Sequence, residues 1–263
     1  MAAPLSADGL TREVAALLGA LPDTLPALSP LPTLPAPDAL PGLIDHTLLA
    51  PHSTPADIER VSAEGAALKA ATVCVNSSMV PFAAAALKGH ATRPIATIGF
   101  PFGAGGSAAK ALEARTAVEQ GAAEIDMVQN VGLLRAGRLH EVYLDVLGVV
   151  EASKPAPVKV ILETASLQRE EIAISSLISC LAGAAFIKTS TGYGPGGATP
   201  EAVRLMHFVA APRGVAVKAS GGIRTLAAVR TMVESGATRV GASGTAAIVS
   251  EARGGAAATG SGY

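Results

Sequence analysis

The chain has 263 residues, with 20 Lys and Arg against 21 Asp and Glu, and its formal charge of −1 supplies no basic field able to hold nucleic acid. Apolar residues make up 49% but aromatic ones only 3%, with no Trp, which points to a core of Ala, Val, Leu and Ile packing helices onto a parallel sheet. Mean hydropathy is positive, yet the longest uncharged run, Ala70 to Leu87, holds Asn76, two serines and Pro81, which excludes a membrane span.

The amino terminus has neither the basic start nor the sustained apolar stretch of a secretory signal. Cys74 and Cys180 have no metal or disulfide spacing, so structural thiols in a cytoplasmic setting are expected. Within residues 1–41, Leu10 to Leu21 suits a short helix. The segment TLPALSPLPTLPAPDALP that follows is too rich in proline for helix or central strand, and suits a polyproline-like arm packed against or trailing from the main domain.

From residue 42 to 252 eight short apolar runs alternate with helical stretches: LID (43–45), TVCV (72–75), IATI (95–98), EIDMV (124–128), VKVIL (158–162), AFIK (185–188), VAVK (215–218) and TRVG (238–241). Their starts lie 23 to 34 residues apart, and amphipathic stretches such as Pro55–Leu68, Ser107–Gln120 and Pro200–Phe208 fill the gaps. Thr54-Pro55 and Thr199-Pro200 read as helix starts, and the Gly-Ala pairs at 121, 183 and 236 as returns to strand. Eight βα units predict one closed (β/α)8 TIM barrel, with an open doubly wound sheet as the alternative. Residues 253–263, ending AAATGSGY, read as a flexible tail.

Barrel enzymes place their chemistry at the carboxyl ends of strands and in the loops that follow. Here those positions hold Asp45 (then His46-Thr47), Cys74, the loop GFPFGAGGS, Asp126, Glu163, Lys188, Lys218 and the loop GASG. The loop GFPFGAGGSAAK lacks the GK[ST] ending of a nucleotide loop and is assigned to turn geometry. Two of only seven lysines, Lys188 and Lys218, close strands 6 and 7, whereas Lys159 lies near the start of its strand and serves as a contrast. A buried lysine with a second cation beside it loses its proton readily and becomes a nucleophile. Pairing of each lysine with a carboxylate across the barrel is the other reading, and Asp126 serves both, as ion partner or as proton shuttle.

Strands 7 and 8 run into ASGGIRT and GASGT, where Gly221, Gly222, Gly241 and Gly244 let backbone amides approach a phosphate, with Arg224 and Ser243 as side-chain donors. Simple tight turns would look the same. His46, His52, His90, His140 and His207 form no ligand triad, so no metal is expected. An isomerase or synthase barrel that never forms an imine, and a non-catalytic scaffold, are the competing classes. The lysine pair speaks against both.

The stretches IDHTLLAP (44–51), VCVN (73–76), IGFPFGA (98–104), EIDMV (124–128), VKVILET (158–164), FIKTSTGYG (186–194) and VKASGGIRT (217–225), with the final Tyr263, resemble the deoxyribose-phosphate aldolase family over about residues 43–250. The resemblance implies reversible cleavage of 2-deoxy-D-ribose 5-phosphate to acetaldehyde and D-glyceraldehyde 3-phosphate, with no metal or organic cofactor. It implies that Lys188 forms the imine, Lys218 tunes it, Asp126 assists proton transfer, and Tyr263 folds back to do the same. The substrate contacts expected are Asp45, Thr47, Cys74, Thr191, Gly192, Gly221, Gly222, Arg224, Gly241, Ser243 and Gly244. The partners expected are sugar phosphate, aldehyde and further copies of the chain, as dimer or tetramer. Two departures stand out: Ser243-Gly244 replaces two adjacent serines, and Tyr193 stands where some members carry another lysine.

Overall fold

The computed structural model describes residues 4–255. Each apolar run becomes a strand: β1 (Ile44–Thr47), β2 (Thr72–Asn76), β3 (Arg93–Ile98), β4 (Glu124–Val128), β5 (Val158–Ile161), β6 (Phe186–Lys188), β7 (Ala216–Ser220) and β8 (Arg239–Ala242). All neighbours pair in parallel and β8 returns to β1, with Asp45 opposite Gly241, so the sheet is closed and the open doubly wound alternative is excluded. Helix α1 (Ala7–Ala20) precedes the barrel. Around it run α2 (Pro55–Leu68), α3 (Val80–Ala86), α4 (Ser107–Glu119), α5 (Val131–Arg135), α6 (Leu139–Ser153), α7 (Arg169–Leu181), α8 (Pro200–Ala210), α9 (Leu226–Glu234) and α10 (Thr245–Ala252).

Side chains alternate across each strand, and the two faces differ chemically. One set, including Val73, Val75, Ile125, Met127, Val160, Ile187, Val217 and Ala219, joins Val146, Leu177, Met206 and Ile248 of the helices in one apolar core. The other faces the barrel interior and brings Asp45, Cys74, Asp126, Lys159, Lys188 and Lys218 inside, all buried. Burial of each large aliphatic side chain stabilises by about 1.5–3 kcal/mol. The outer core therefore carries the fold and leaves the interior to ionisable groups.

Local signals act where the chain needs them. Thr54 and Asp57 form a reciprocal capping box at the start of α2, and the Thr199 hydroxyl accepts from the Ala202 amide at the start of α8. Gly121, Gly183 and Gly236 have φ of 109°, 87° and 106°, a region that glycine enters at little cost, and each turns a helix back into a strand. Helix α1 buries Leu10, Val14 and Leu17 and packs on α6 and α7. Residues 21–36 have neither helix nor strand but are strapped down rather than trailing. Arg169 donates to the Pro22 carbonyl at 2.5 Å, and Arg204 to those of Leu25 and Pro26 at 3.2 and 2.9 Å. Among the described residues no helix is long and apolar enough to cross a membrane.

Candidate active site

Parallel pairing in register gathers the interior charges. Asp126 of β4 stands opposite Lys159 of β5, and Lys188 of β6 opposite Lys218 of β7. Three ammonium groups then converge on Asp126: Lys188 and Lys218 donate to its Oδ2 at 2.8 and 2.7 Å, and Lys159 donates to its Oδ1 at 3.0 Å. Lys218 also lies 2.6 Å from Asp45 Oδ2, while Thr72 and Arg239 each donate to Asp45 Oδ1 at 2.7 Å. Lys159 further pairs with Glu124. Lys159, set apart in the sequence as a contrast to the two strand-end lysines, joins the same cluster. Its place near the start of β5 sets it across from Asp126, and its long side chain reaches that carboxylate.

The two strand-end lysines share an acceptor oxygen but differ in their balance of charge. Burial disfavours the ammonium form of both. Lys218 sits between two carboxylates, and their attraction outweighs burial and holds its pKa above 10.5. Lys188 has only a share of Asp126, so burial, helped by the Lys218 charge, outweighs that attraction and lowers its pKa. Burial alone would raise the pKa of Asp126, but Lys159, Lys188 and Lys218 reverse this and keep it well below 3.8. Burial, aided by the Asp126 charge, lifts the Cys74 thiol to about 11, so it stays protonated at neutral pH.

Above this cluster a cavity opens at the carboxyl ends of the strands. Of the residues expected to meet substrate, Thr47, Lys188, Thr191, Gly192, Gly221, Gly222, Arg224, Gly241 and Ser243 line it. Asp45, Cys74, Asp126 and Lys218 are buried beneath its floor, and Gly244 caps α10 just behind Ser243. Cys74 packs with Leu49, Ile95 and Phe100 in a small apolar cluster beside the lysines. Tyr263 lies outside the described residues. His46 is buried behind the barrel wall with its Nδ1 2.9 Å from the Thr245 hydroxyl.

Loops stitch the cavity wall together. Thr189 donates to the Ser220 carbonyl and accepts from the Ser220 amide, both at 3.0 Å, and the Ser220 hydroxyl donates to Ser190 O at 2.7 Å. Ala198 N donates to Gly221 O at 3.1 Å, and a Cβ on Gly197 would stand 2.3 Å from that oxygen. The β6–α8 loop is thereby pressed onto the glycine turn after β7. The Thr191 hydroxyl donates to Glu163 and accepts from Tyr193 N at 3.0 Å, and Tyr193 meets Phe100 edge-on at 5.5 Å.

Leu49, Tyr193, Ser220 and Ile223 also line the cavity but were not among the contacts expected from sequence, nor was Glu163, which holds Thr191 from behind. Glu163 did carry one signal, its place at the end of β5. Its left-handed backbone, with φ of 57°, is not readable beforehand. The loop GFPFGAGGS is held by Lys110, whose Nζ donates to Gly103 O, Val128 O and Asp145 Oδ2 at 3.1, 3.2 and 2.5 Å. These contacts fit a structural turn.

Comparison with known proteins places this geometry. The pattern described as DeoC/LacD family aldolase matches residues 42–249. The chain is 46% identical over 211 residues to the deoxyribose-phosphate aldolase of Coprothermobacter proteolyticus, covering 80% of this chain and 96% of that protein. It is 49% identical over 205 residues to that of Carboxydothermus hydrogenoformans, covering 76% and 90%. Among solved structures, a protein of Coccidioides immitis described as a candidate deoxyribose-phosphate aldolase superposes with a TM-score of 0.86 at 36% identity, over 95% of this chain and 98% of that one. The deoxyribose phosphate aldolase of Aeropyrum pernix, described as a unique tetramer, superposes with a TM-score of 0.78 at 29% identity, over 94% and 98%. With its barrel and its strand-end cavity on the span that the family pattern matches, this chain belongs to the DeoC/LacD family of aldolases.

Proposed function

We propose that the protein catalyses reversible aldol cleavage of 2-deoxy-D-ribose 5-phosphate to D-glyceraldehyde 3-phosphate and acetaldehyde, through an imine on Lys188. The observation that carries the residue assignment is that Lys188 combines an opening onto the cavity with a lowered pKa, whereas Lys218 has neither. The neutral Lys188 amine attacks the aldehyde carbon, and loss of water gives a protonated imine. That iminium accepts the electron pair of the C2–C3 bond as the 3-hydroxyl gives up its proton and leaves as the glyceraldehyde phosphate carbonyl. The enamine left behind is protonated on carbon and hydrolysed to acetaldehyde and free lysine.

Asp126 orients Nζ and offsets the iminium charge. With three lysines upon it, it is a weak base and holds a proton only in passing. The glycine turns after β7 and β8, with Arg224 and Ser243, are proposed to hold the phosphate. Tyr263 is proposed, on the family resemblance, to deliver the proton to the enamine carbon. Self-association into a dimer or tetramer and a cytoplasmic setting complete the reading.

Borohydride added with acetaldehyde tests it. An ethyl group is expected on the Lys188 peptide and is expected to be absent from Lys188→Ala. Reduction onto another lysine would move the site, and no adduct at all would remove the imine.

A further inference from the structure

The charges inside the barrel extend below the residues used so far. Three carboxylates, Asp45, Asp126 and Glu124, face four basic side chains, Lys159, Lys188, Lys218 and Arg239, in one connected set of ion pairs. Glu124 and Arg239 are the first residues of β4 and β8, at the end of the barrel away from the cavity. There Lys159 and Arg239 lie 5.6 and 5.3 Å from the centre of the ring of Phe186, the first residue of β6. Cys74 faces the same interior as a neutral thiol. Arg224 lines the cavity, and Glu163 lies behind its wall, bonded to Thr191.

With every basic group protonated the set holds one positive charge in excess, and an uncompensated charge is expensive out of water. One proton must be held weakly. Arg239 does not release one near neutrality. Lys218 lies between Asp45 and Asp126, and Lys159 between Glu124 and Asp126. Lys188 has only Oδ2 of Asp126, which Lys218 also takes.

We propose that Lys159, Glu124 and Arg239 are positioning residues that set the proton occupancy of Lys188 through this charge balance, without touching the substrate. The inference rests on reading Lys188 as the nucleophile. It assigns work to the far end of the barrel, whose groups decide whether the amine at the near end is free to attack.

Competitive labelling of the full-length protein with trace acetic anhydride across pH, read on the Lys188 peptide by mass spectrometry, tests it without relying on turnover. Lys159→Met and Arg239→Met each remove a cation and are expected to raise the labelling midpoint by about one pH unit. Glu124→Gln removes an anion and is expected to lower it by about as much. Lys159→Met combined with Glu124→Gln is expected to return it to the wild-type value. Glu124 is 17% exposed, so its variant keeps the test decisive if Lys159→Met fails to fold.

Midpoints unmoved in folded Glu124→Gln and Arg239→Met proteins would overturn the inference. Shifts of the same sign for Lys159→Met and Glu124→Gln would also do so, because a purely structural role has no reason to follow charge. Borohydride trapping is run in parallel. Absent trapping with midpoints shifted as stated overturns the imine and leaves the charge balance standing.

Discussion

In the proposed mechanism Lys188 becomes the nucleophile by losing a competition for carboxylates to Lys218, which shares Asp126 Oδ2 with it and also holds Asp45. Because the Lys188 pKa is lowered, kcat/KM is expected to climb with pH and level off below the 10.5 of an ordinary lysine. Lys218→Met removes the neighbouring charge and gives Lys188 a larger share of Asp126. Both effects raise the Lys188 pKa, so the acid limb of the kcat/KM profile should move up by about one pH unit. A limb that stays in place would show that burial alone sets the amine. At this scale the candidates were visible as ionisable residues closing apolar runs, but the choice between Lys188 and Lys218 came from the family resemblance and not from the residue pattern. That choice depends on Asp45, which lies more than a hundred residues from either lysine and meets Lys218 only once the barrel has closed.

In the proposed reading, the loops after β6, β7 and β8 decide how the substrate's far end is held. Gly197 lies against the Gly221 carbonyl, where a Cβ would stand 2.3 Å from oxygen. Gly197→Ala is therefore expected to push the turn after β7 out of place. It should raise KM for the phosphorylated substrate by about tenfold, the worth of one hydrogen bond to a charged group, while acetaldehyde trapping at Lys188 persists. Equal losses in both assays would mean that the substitution disturbs β6 as well.

At position 244 a Cβ meets open space, and Gly244 has φ of −94°, so serine is accommodated there. Gly244→Ser is expected to tighten phosphate binding by about 1 kcal/mol, read as a lower KM for the phosphorylated substrate. An unchanged or higher KM would show that backbone amides suffice. Strands and helices were legible because the period of apolar residues reports them directly, and α2 begins at Pro55 as the Thr54-Pro55 pair suggests and ends at Leu68. The loop contacts were not. Glu163 under Thr191, and Gly197 on Gly221, depend on backbone angles and on segments far apart in the chain, which no local pattern encodes.

Across the whole molecule the interior charges tie stability to acidity. Asp45 and Asp126 are held below their ordinary 3.8, so the stability they contribute is in place above that pH and is lost as pH falls through their lowered values. Unfolding free energy from denaturant titrations should therefore fall steeply below about pH 4. A gentler fall beginning near pH 6.5 is expected from His46, because burial holds its pKa below the usual 6.5 and the unfolded chain takes up that proton first; a free energy unchanged between about pH 6.5 and 4.5 would remove that contribution.

The strapping of the N-terminal arm has a consequence for the order in which the protein is made. The arm leaves the ribosome before the barrel, and the groups that hold it, Arg169 and Arg204, come 147 and 178 residues after their acceptors. At about 5–20 residues per second, Pro26 waits on the order of ten seconds or more for Arg204 to be synthesised. β1 waits longer still for β8. Residues 21–36 therefore leave the ribosome long before the side chains that hold them, and their clasp cannot close until α8 has been made.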